Sequence, residues 1–293
     1  MKNLIRKIYS ILPFKRTIFT MIRAVWTPSE SIWQHFYFEG KFTFKVNGKS
    51  IKLQNHNSLM ETAIFWTNTY LDEKVSMKLW NKLSQRSDWI FDVGANTGMF
   101  SILGKSMNPN SNVYAFEPIT RIFARLKENV EMNNLDVHLH EIAMSNESGT
   151  AKIFDIASDH HYHASLKQSE VAHHEGVTFT EIKTDTLNSF VETKGAKGCD
   201  LMKIDVEGFE IEVINGALDV IGKYRPSILI EVKNDENAAE IETLLKGLDY
   251  RFYDIDEVSE KPKKIDRLRK SSKWNLLFLN EAHEKWLMEN GML

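Results

Sequence analysis

The stretch Asp92-Val93-Gly94-Ala95-Asn96-Thr97-Gly98, entered from the apolar run Trp89-Ile90-Phe91, decides the fold. It reads as a buried strand running into a glycine turn and then a helix, Met99 to Met107. Glycine permits the tight turn and lets a ligand come close to the backbone. An acid at the strand tip beside that turn suits a ligand that carries positive charge and hydroxyls. A dinucleotide site requires G-x-G-x-x-G. Here one acid precedes only two glycines, Gly94 and Gly98.

Outward from this turn, strand and helix alternate: strand 89–93, helix 98–107, strand 112–116, helix 119–132, strand 137–142. An irregular polar span, 144–200, follows, with strands expected at 150–154 and 178–183. Alternation resumes with strand 201–206, helix 209–222, strand 227–232, helix 236–247, strand 250–254 and a last strand 274–279. Ile228-Leu229-Ile230 and Leu276-Leu277-Phe278 are continuous apolar runs, as expected for strands covered on both faces. The pattern predicts a doubly wound, Rossmann-like α/β domain, mostly parallel with an antiparallel edge strand and helices on both faces. Before it, 36–38, 42–46 and 50–53 read as short strands with Asn47-Gly48 as a hairpin turn, and 59–84 as mostly helical.

At 293 residues, 42% hydrophobic and 26% charged, the chain has room for one sizeable domain and an extension. The expected division is an extension over 1–84 and a domain over 85–293. A single cysteine, Cys199, excludes an intrachain disulfide or a Cys-rich metal site and favours a reducing, cytoplasmic setting. The net charge is −3, yet residues 1–26 hold six Lys/Arg (Lys2, Arg6, Lys7, Lys15, Arg16, Arg23) and no acid. Their apolar partners, Leu4, Ile5, Ile8, Leu12, Ile18, Phe19, Ile22, Val25 and Trp26, fall at helical spacing, broken at Pro13. No run approaches the roughly 18 apolar residues of a membrane span, and Lys15-Arg16 closes the stretch too early for a signal peptide. Two readings stand: a basic amphipathic segment at the inner face of an anionic membrane, or a helix packed on its own domain or on a dimer mate.

Ligands of such sheets sit at the C-terminal strand ends. The first end presents the D-x-G-x-x-x-G turn, a spacing that fits S-adenosylmethionine (SAM), whose sulfonium is cationic and which has no pyrophosphate. The second ends Phe116-Glu117-Pro118, where Glu117 can accept both ribose hydroxyls of an adenosine; the alternative is a helix N-cap acid. At the third, the small residue Ala143 lets an adenine lie flat. The fourth, Leu201-Met202-Lys203-Ile204-Asp205-Val206-Glu207-Gly208-Phe209-Glu210, puts Lys203, Asp205 and Glu207 on one face. Charges in a central strand are costly unless paired or used, so this run is either a buried ion pair or a reaction side, with Glu231 at the end of the next strand.

These residues together carry a family resemblance. Phe91–Gly98, Phe116-Glu117-Pro118, Ala143-Met144-Ser145-Asn146 and Lys203–Glu210 resemble, in order and spacing, the FkbM family of SAM-dependent methyltransferases over residues 85–235. The resemblance implies methylation of a hydroxyl oxygen on a sugar, glycan, glycolipid or related natural product. By position, Asp92, Gly94, Ala95, Asn96, Gly98, Glu117, Pro118 and Ala143 would hold SAM; Asp205, Glu207 and Glu231 would line the reaction side. At Lys183-Thr184-Asp185-Thr186-Leu187 the family's Thr-Leu-Asp is displaced, so Asp185 receives no role.

Methyl transfer needs an aligned acceptor oxygen and a group to take its proton. The candidates are Asp205 and a histidine, His161, from Asp159-His160-His161-Tyr162-His163, a segment read as a lid. Its H-H-x-H spacing also admits a metal, and some O-methyltransferases use a divalent ion beside an acid such as Asp205; no metal ligand is assigned. His173-His174 read as solvated loop. The basic linker 261–270 reads as a solvated hairpin loop or a contact for an anionic acceptor. The aromatic stretch 33–38 reads as packing for the added sheet, or as sugar stacking. Nucleic acid is not expected as a partner. Two other classes stay open: a nicotinamide-dependent oxidoreductase, disfavoured by the glycine spacing, and a non-catalytic nucleoside-binding scaffold.

Overall fold

The computed structural model describes residues 14–69, 73–156, 164–165, 177–273 and 275–293. Residues 1–13, His160, His161, His163, His173 and His174 therefore lie outside the described residues. The chain divides into two compact units, Met1–Leu71 with Asp159–His161, and Asp72–Ser158 with Tyr162–Leu293.

In the first unit, helices α1 (Lys15–Val25) and α2 (Glu30–Trp33) lead to a hairpin of β1 (Glu39–Val46) and β2 (Lys49–His56), then to α3 (Leu59–Thr67). The hairpin turn needs positive φ at both central residues, and Asn47 and Gly48 supply it at 47° and 75°. Alternation buries Phe42, Phe44, Ile51 and Leu53 and leaves Lys41, Lys45 and Lys52 exposed. Against the buried face pack Phe38, Phe65 and Trp66, with Phe38 and Phe65 edge to face at 4.6 Å. The aromatic stretch 33–38 is thus core: Trp33 and Phe38 are buried, and Phe36 stacks on Phe19. Strand β1 begins at Glu39, so the short strand expected at 36–38 is absent.

The second unit starts with α4 (Lys74–Ser84), ahead of the boundary expected at 84/85. The reason is packing: α4 buries Val75, Met77, Leu79, Trp80 and Leu83, and Trp80 Nε1 donates to the Phe100 carbonyl at 2.9 Å. The central sheet contains β3 (Trp89–Val93), β4 (Asn112–Phe116), β5 (His138–His140), β10 (Leu201–Ile204), β11 (Ser227–Glu231), β12 (Arg251–Asp256), β13 (Lys261–Ile265) and β14 (Asn275–Leu279). Its order is β13-β12-β14-β11-β10-β3-β4-β5. The run from β11 to β5 is parallel. Three strands, not one, form the antiparallel end. The linker read as a loop supplies one of them, β13. Helices α5 (Met99–Met107) and α6 (Thr120–Met132) follow β3 and β4, and Ile90, Phe91, Val93, Ile204 and Ile230 are fully buried between the layers. Each such side chain contributes about 1.5–3 kcal/mol.

The span 144–200 contains the two strands expected at 150–154 and 178–183, each longer than expected. It holds a small second sheet, β6 (Ala143–Met144), β7 (Gly149–Ile156), β8 (Ala164–Ser165) and β9 (Val177–Asp185), in the order β6-β9-β7-β8. Helix α7 (Leu187–Lys194) follows, capped by Thr186 accepting from the Ser189 N–H at 3.0 Å. The helix expected at 209–222 is two, α8 (Glu210–Asn215) and α9 (Leu218–Tyr224). They part at Gly216, where a Cβ would stand 1.9 Å from the Ser145 carbonyl. After Asp235–Leu244 (α10), β12, β13 and β14, the chain ends in α11 (Glu281–Glu289), not foreseen from sequence though Asn280 caps it from its side chain. Among the described residues no helix is long and apolar enough to cross a membrane.

Candidate active site

The strand order reverses between β3 and β10, and a cleft opens at the C-terminal ends of these strands, where doubly wound sheets take their ligands. Gly94 crosses that point at φ 80°, and a Cβ there would lie 1.8 Å from the Asp205 carbonyl oxygen. Only glycine lets β3 and β10 meet so closely. The turn is fastened by backbone bonds: Gly94 and Ala95 N–H both donate to the Phe116 carbonyl (3.0 and 2.9 Å), and Asp205 N–H donates to Val93 (3.0 Å). Gly98 begins α5 at φ 91°, with Leu126 pressed against it.

Glu117 stands beside this turn. Its two carboxylate oxygens accept from the Asn96 N–H (3.1 Å) and the Ile119 N–H (3.0 Å). A carboxylate has about four acceptor positions, so capacity for hydroxyl donors remains. Burial pushes its pKa up to about 7, against the pull of those two N–H bonds. The N-cap alternative is not what the structure shows: Ile119 is the N-cap of α6 and no side chain caps it, while Glu117 ties the β3–α5 turn to the start of α6 with one lone pair of each oxygen.

The cleft, open at its mouth, is lined on one side by Gly94, Asn96, Glu117, Pro118 and Ala143 and on the other by Asp205 and Glu207. Apolar residues of β7 and β9, Ile153 and Ile182, face it with Ile119, Ile122 and Met144. Sequence reading expected strands at 150–154 and 178–183 but not their pairing into a sheet that turns Ile153 and Ile182 to the cleft. Among the described residues, three carboxylates and no lysine, arginine or histidine are in the lining. That chemistry accepts hydroxyls and a cation and repels a pyrophosphate. The residues present thus fit SAM.

Not every expected site residue reaches the cleft. Asp92 is 1% exposed beneath the turn and is absent from the lining. Strand alternation turns it toward α5, where the Ser101 hydroxyl donates to its Oδ2 at 2.5 Å, and Oδ1 has no hydrogen-bond partner. Its neighbour across the parallel register is Lys203. Ala95 and Gly98 shape the turn without lining the cleft.

Of the two readings of Lys203, the structure shows the buried ion pair, with Asp205, and makes Lys203 the hub of a charged cluster beside the cleft. Its Nζ donates to Asp205 Oδ2 at 2.6 Å and lies 4.5 Å from the centre of the Phe100 ring. Burial alone would lower its pKa, but Asp205, Glu73 and Asp92 together raise it above the usual lysine range. Glu73, from the start of α4, is pushed up to about 7 by burial and accepts from Asn275 Nδ2 at 2.6 Å. Strand β10 ends at Ile204, so Asp205–Glu207 form a loop in which Glu207 takes φ 55°. Lys233 holds Glu207 Oε2 at 2.6 Å and Glu231 Oε2 at 3.4 Å. Burial, then the charge of Asp205, pushes Glu231 up to about 8. Glu231 stands behind the lining rather than in it. Lys233, two positions beyond Glu231, was detectable only by that spacing. Among the described residues, no group of three His, Cys, Asp or Glu is arranged to hold a metal ion.

A sequence model described as the Methyltransferase FkbM domain matches residues 92–252, more than half of the chain. Among curated proteins, the 31-O-demethyl-FK506 methyltransferase FkbM of Streptomyces tacrolimicus is 27% identical over 210 residues, 63% of this chain and 78% of that protein. The 2-O-methyltransferase NoeI of Sinorhizobium fredii is 28% identical over 52% of this chain and 66% of its own length. The hexuronic acid methyltransferase AglP of Haloferax volcanii is 26% identical over 55% and 63%. Among solved structures, the methyltransferase FkbM of Methylobacillus flagellatus aligns at a TM-score of 0.43 and 13% identity, over 75% of this chain and 53% of that one.

Proposed function

The chain belongs to the FkbM family of SAM-dependent methyltransferases, and from that premise we propose that it methylates a hydroxyl oxygen of a sugar or sugar-containing acceptor. The observation that carries the reading is the cleft whose charged groups, among the described residues, are carboxylates alone, with an aspartate held by Lys203 at its edge. The relatives support the acceptor class: one is named a 2-O-methyltransferase and another a hexuronic acid methyltransferase.

Bound SAM supplies an activated methyl group on a sulfonium. Gly94 and Asn96 are the residues to hold its amino-acid end, Glu117 its ribose hydroxyls, and Pro118, Ala143 and Ile182 its base. Asp205 then has two tasks that proximity makes effective. It orients the acceptor hydroxyl by accepting its hydrogen bond, and it takes the proton as the oxygen becomes a methyl ether. Lys203 fixes the Asp205 carboxylate through Oδ2. Glu207, held by Lys233, is placed to accept a neighbouring hydroxyl of a polyol acceptor. The slab of Ile119, Ile122, Ile153 and Ile182 keeps water from the base side of the cleft.

The test is incubation of the purified chain with methyl-labelled SAM and a panel of neutral and acidic oligosaccharides, read by mass spectrometry. A mass gain of one methyl on a sugar hydroxyl supports the reading. Labelling that appears on nitrogen, or on no sugar while S-adenosylhomocysteine still binds, overturns the acceptor class.

A further inference from the structure

Helix α1 of the first unit has two apolar faces. One is satisfied: Phe19 is 3% exposed and packs on Phe36, Phe38 and Trp66. The other is not. Phe14, Ile18, Met21 and Val25 repeat at helical spacing on the side away from Phe19. Phe14 is 81%, Met21 61% and Val25 86% exposed, and Trp26 continues the patch at 53%. Single exposed apolar residues need no explanation, but a contiguous stripe marks a contact surface.

Charge identifies the partner. Residues 1–71 contain ten Lys/Arg and three acids (Glu30, Glu39, Glu61), net +7. The whole chain is −3, so residues 72–293 carry −10. Glu61 is fully buried, whereas Arg16, Lys41, Lys45, Lys49 and Lys52 are exposed. A second copy of residues 1–71 would bring another +7 against the first, so self-association along α1 is opposed by the same charge that an anionic surface would neutralise. An apolar stripe with an interfacial tryptophan on a strongly basic unit is the composition that lies in the headgroup layer of an anionic bilayer.

We infer that the first unit docks on anionic phospholipid through the Phe14–Trp26 stripe of α1. The stripe enters the acyl boundary and the lysines supply the long-range attraction. This surface is independent of the methyl-transfer cleft, so either conclusion can fail without the other.

The experiment uses the full chain in co-sedimentation with phosphatidylcholine vesicles, alone or with about a third phosphatidylglycerol. The comparator is the double variant Met21→Glu/Val25→Glu, whose sites are exposed and outside the cleft, with circular dichroism to verify folding. The wild type is expected to bind the anionic vesicles, to bind neutral ones at least roughly tenfold more weakly, and to release as salt rises. The variant should lose roughly tenfold or more in binding to anionic vesicles. No binding by wild type, equal binding to neutral vesicles, or undiminished binding by the folded variant overturns the assignment. So does a concentration-dependent dimer that the variant disperses, which would give the stripe to a second copy.

Discussion

On one side of the cleft, residues 93–98 and 116–119 are positioned by backbone groups: Gly94, Ala95, Asn96 and Ile119 N–H all find acceptors within 3.1 Å on the Phe116 carbonyl or the Glu117 carboxylate. On the other, residues 203–207 and 231–233 are positioned by charge, through Lys203–Asp205 and Lys233 between Glu207 and Glu231. The first construction, fixed by backbone bonds, is the one proposed here to bind the part of the ligand that is always the same. The second can be retuned by one side chain without disturbing the sheet, which suits an acceptor that differs among relatives. Changes on the first side should therefore act on cofactor affinity and those on the second on turnover.

The substitution that breaks this separation is Gly94→Ala. The added methyl would meet the Asp205 carbonyl at 1.8 Å, at a φ of 80° that alanine resists. Both sides share that contact, so cofactor binding and turnover should fall together, with destabilisation of about 4 kcal/mol or more. Calorimetry with S-adenosylhomocysteine and urea unfolding read the two effects; an active, stable variant would show that the two sides are not joined there.

Next in size, Asp205→Asn should lower kcat by about 10²–10⁴ and leave S-adenosylhomocysteine affinity within a few-fold. Lys203→Met asks the same question from beneath. It strands Asp205, Asp92 and Glu73 without their shared cation, so it should cost about 3–5 kcal/mol and reduce kcat more than affinity. Loss of cofactor binding in folded Asp205→Asn would move Asp205 to the donor side.

Glu117→Gln sharpens the contrast through pH. The carboxyl's pKa is raised from 4.5 to about 7, so the folded state holds a proton that the unfolded state releases. Its contribution to stability is present below pH 4.5 and is lost as pH rises to about 7, on the order of 3 kcal/mol. Ribose hydroxyls donate best to the ionised form, so wild-type affinity for S-adenosylhomocysteine should strengthen several-fold between pH 6 and 8. In the variant both the stability slope and the affinity slope should flatten while kcat at saturation is kept. An unchanged affinity slope removes Glu117 from the ribose site.

The same contrast governs what was readable from the chain. Backbone-built features carry local signals: a glycine that must take positive φ, an apolar strand, an acid at a fixed interval. Hence the turn at 92–98, Glu117 and the parallel order were all legible. Charge-built features combine near pairs, Lys203–Asp205 and Glu231–Lys233, with partners far apart in sequence. Nothing local announces that Glu73 faces Lys203 across 130 positions, or that Asp92 serves that lysine rather than lining the cleft. The second sheet was half legible: strands were expected at 150–154 and 178–183, but the described parts of β7 and β9 are largely exposed and polar, with Ile153 and Ile182 turned to the cleft, so nothing local announced their pairing or the face they present. β13, Lys-Pro-Lys-Lys-Ile, escaped because an edge strand with a solvated face needs few apolar residues.

The smallest effect should come from Glu231→Gln. Glu231 does not line the cleft, and its carboxyl is pushed up to about 8, by burial first and by the charge of Asp205 second, with Lys233 opposing. At pH 7 it is therefore mostly protonated, and an amide of the same shape changes little: kcat should stay within about threefold. The difference emerges above pH 8. There the wild type places a second negative charge behind Asp205, while the variant does not. Because the folded pKa is raised, the stabilising proton is fully held at low pH and lost as pH climbs through 8. Wild-type stability should thus decline from about pH 4.5 to about 8 and level off above it, and the variant's should not, in unfolding midpoints taken at pH 5 and 8.5. A large loss of kcat at pH 7 would instead place Glu231 in contact with the acceptor, and the charge-built side of the cleft would extend one strand further than the lining shows.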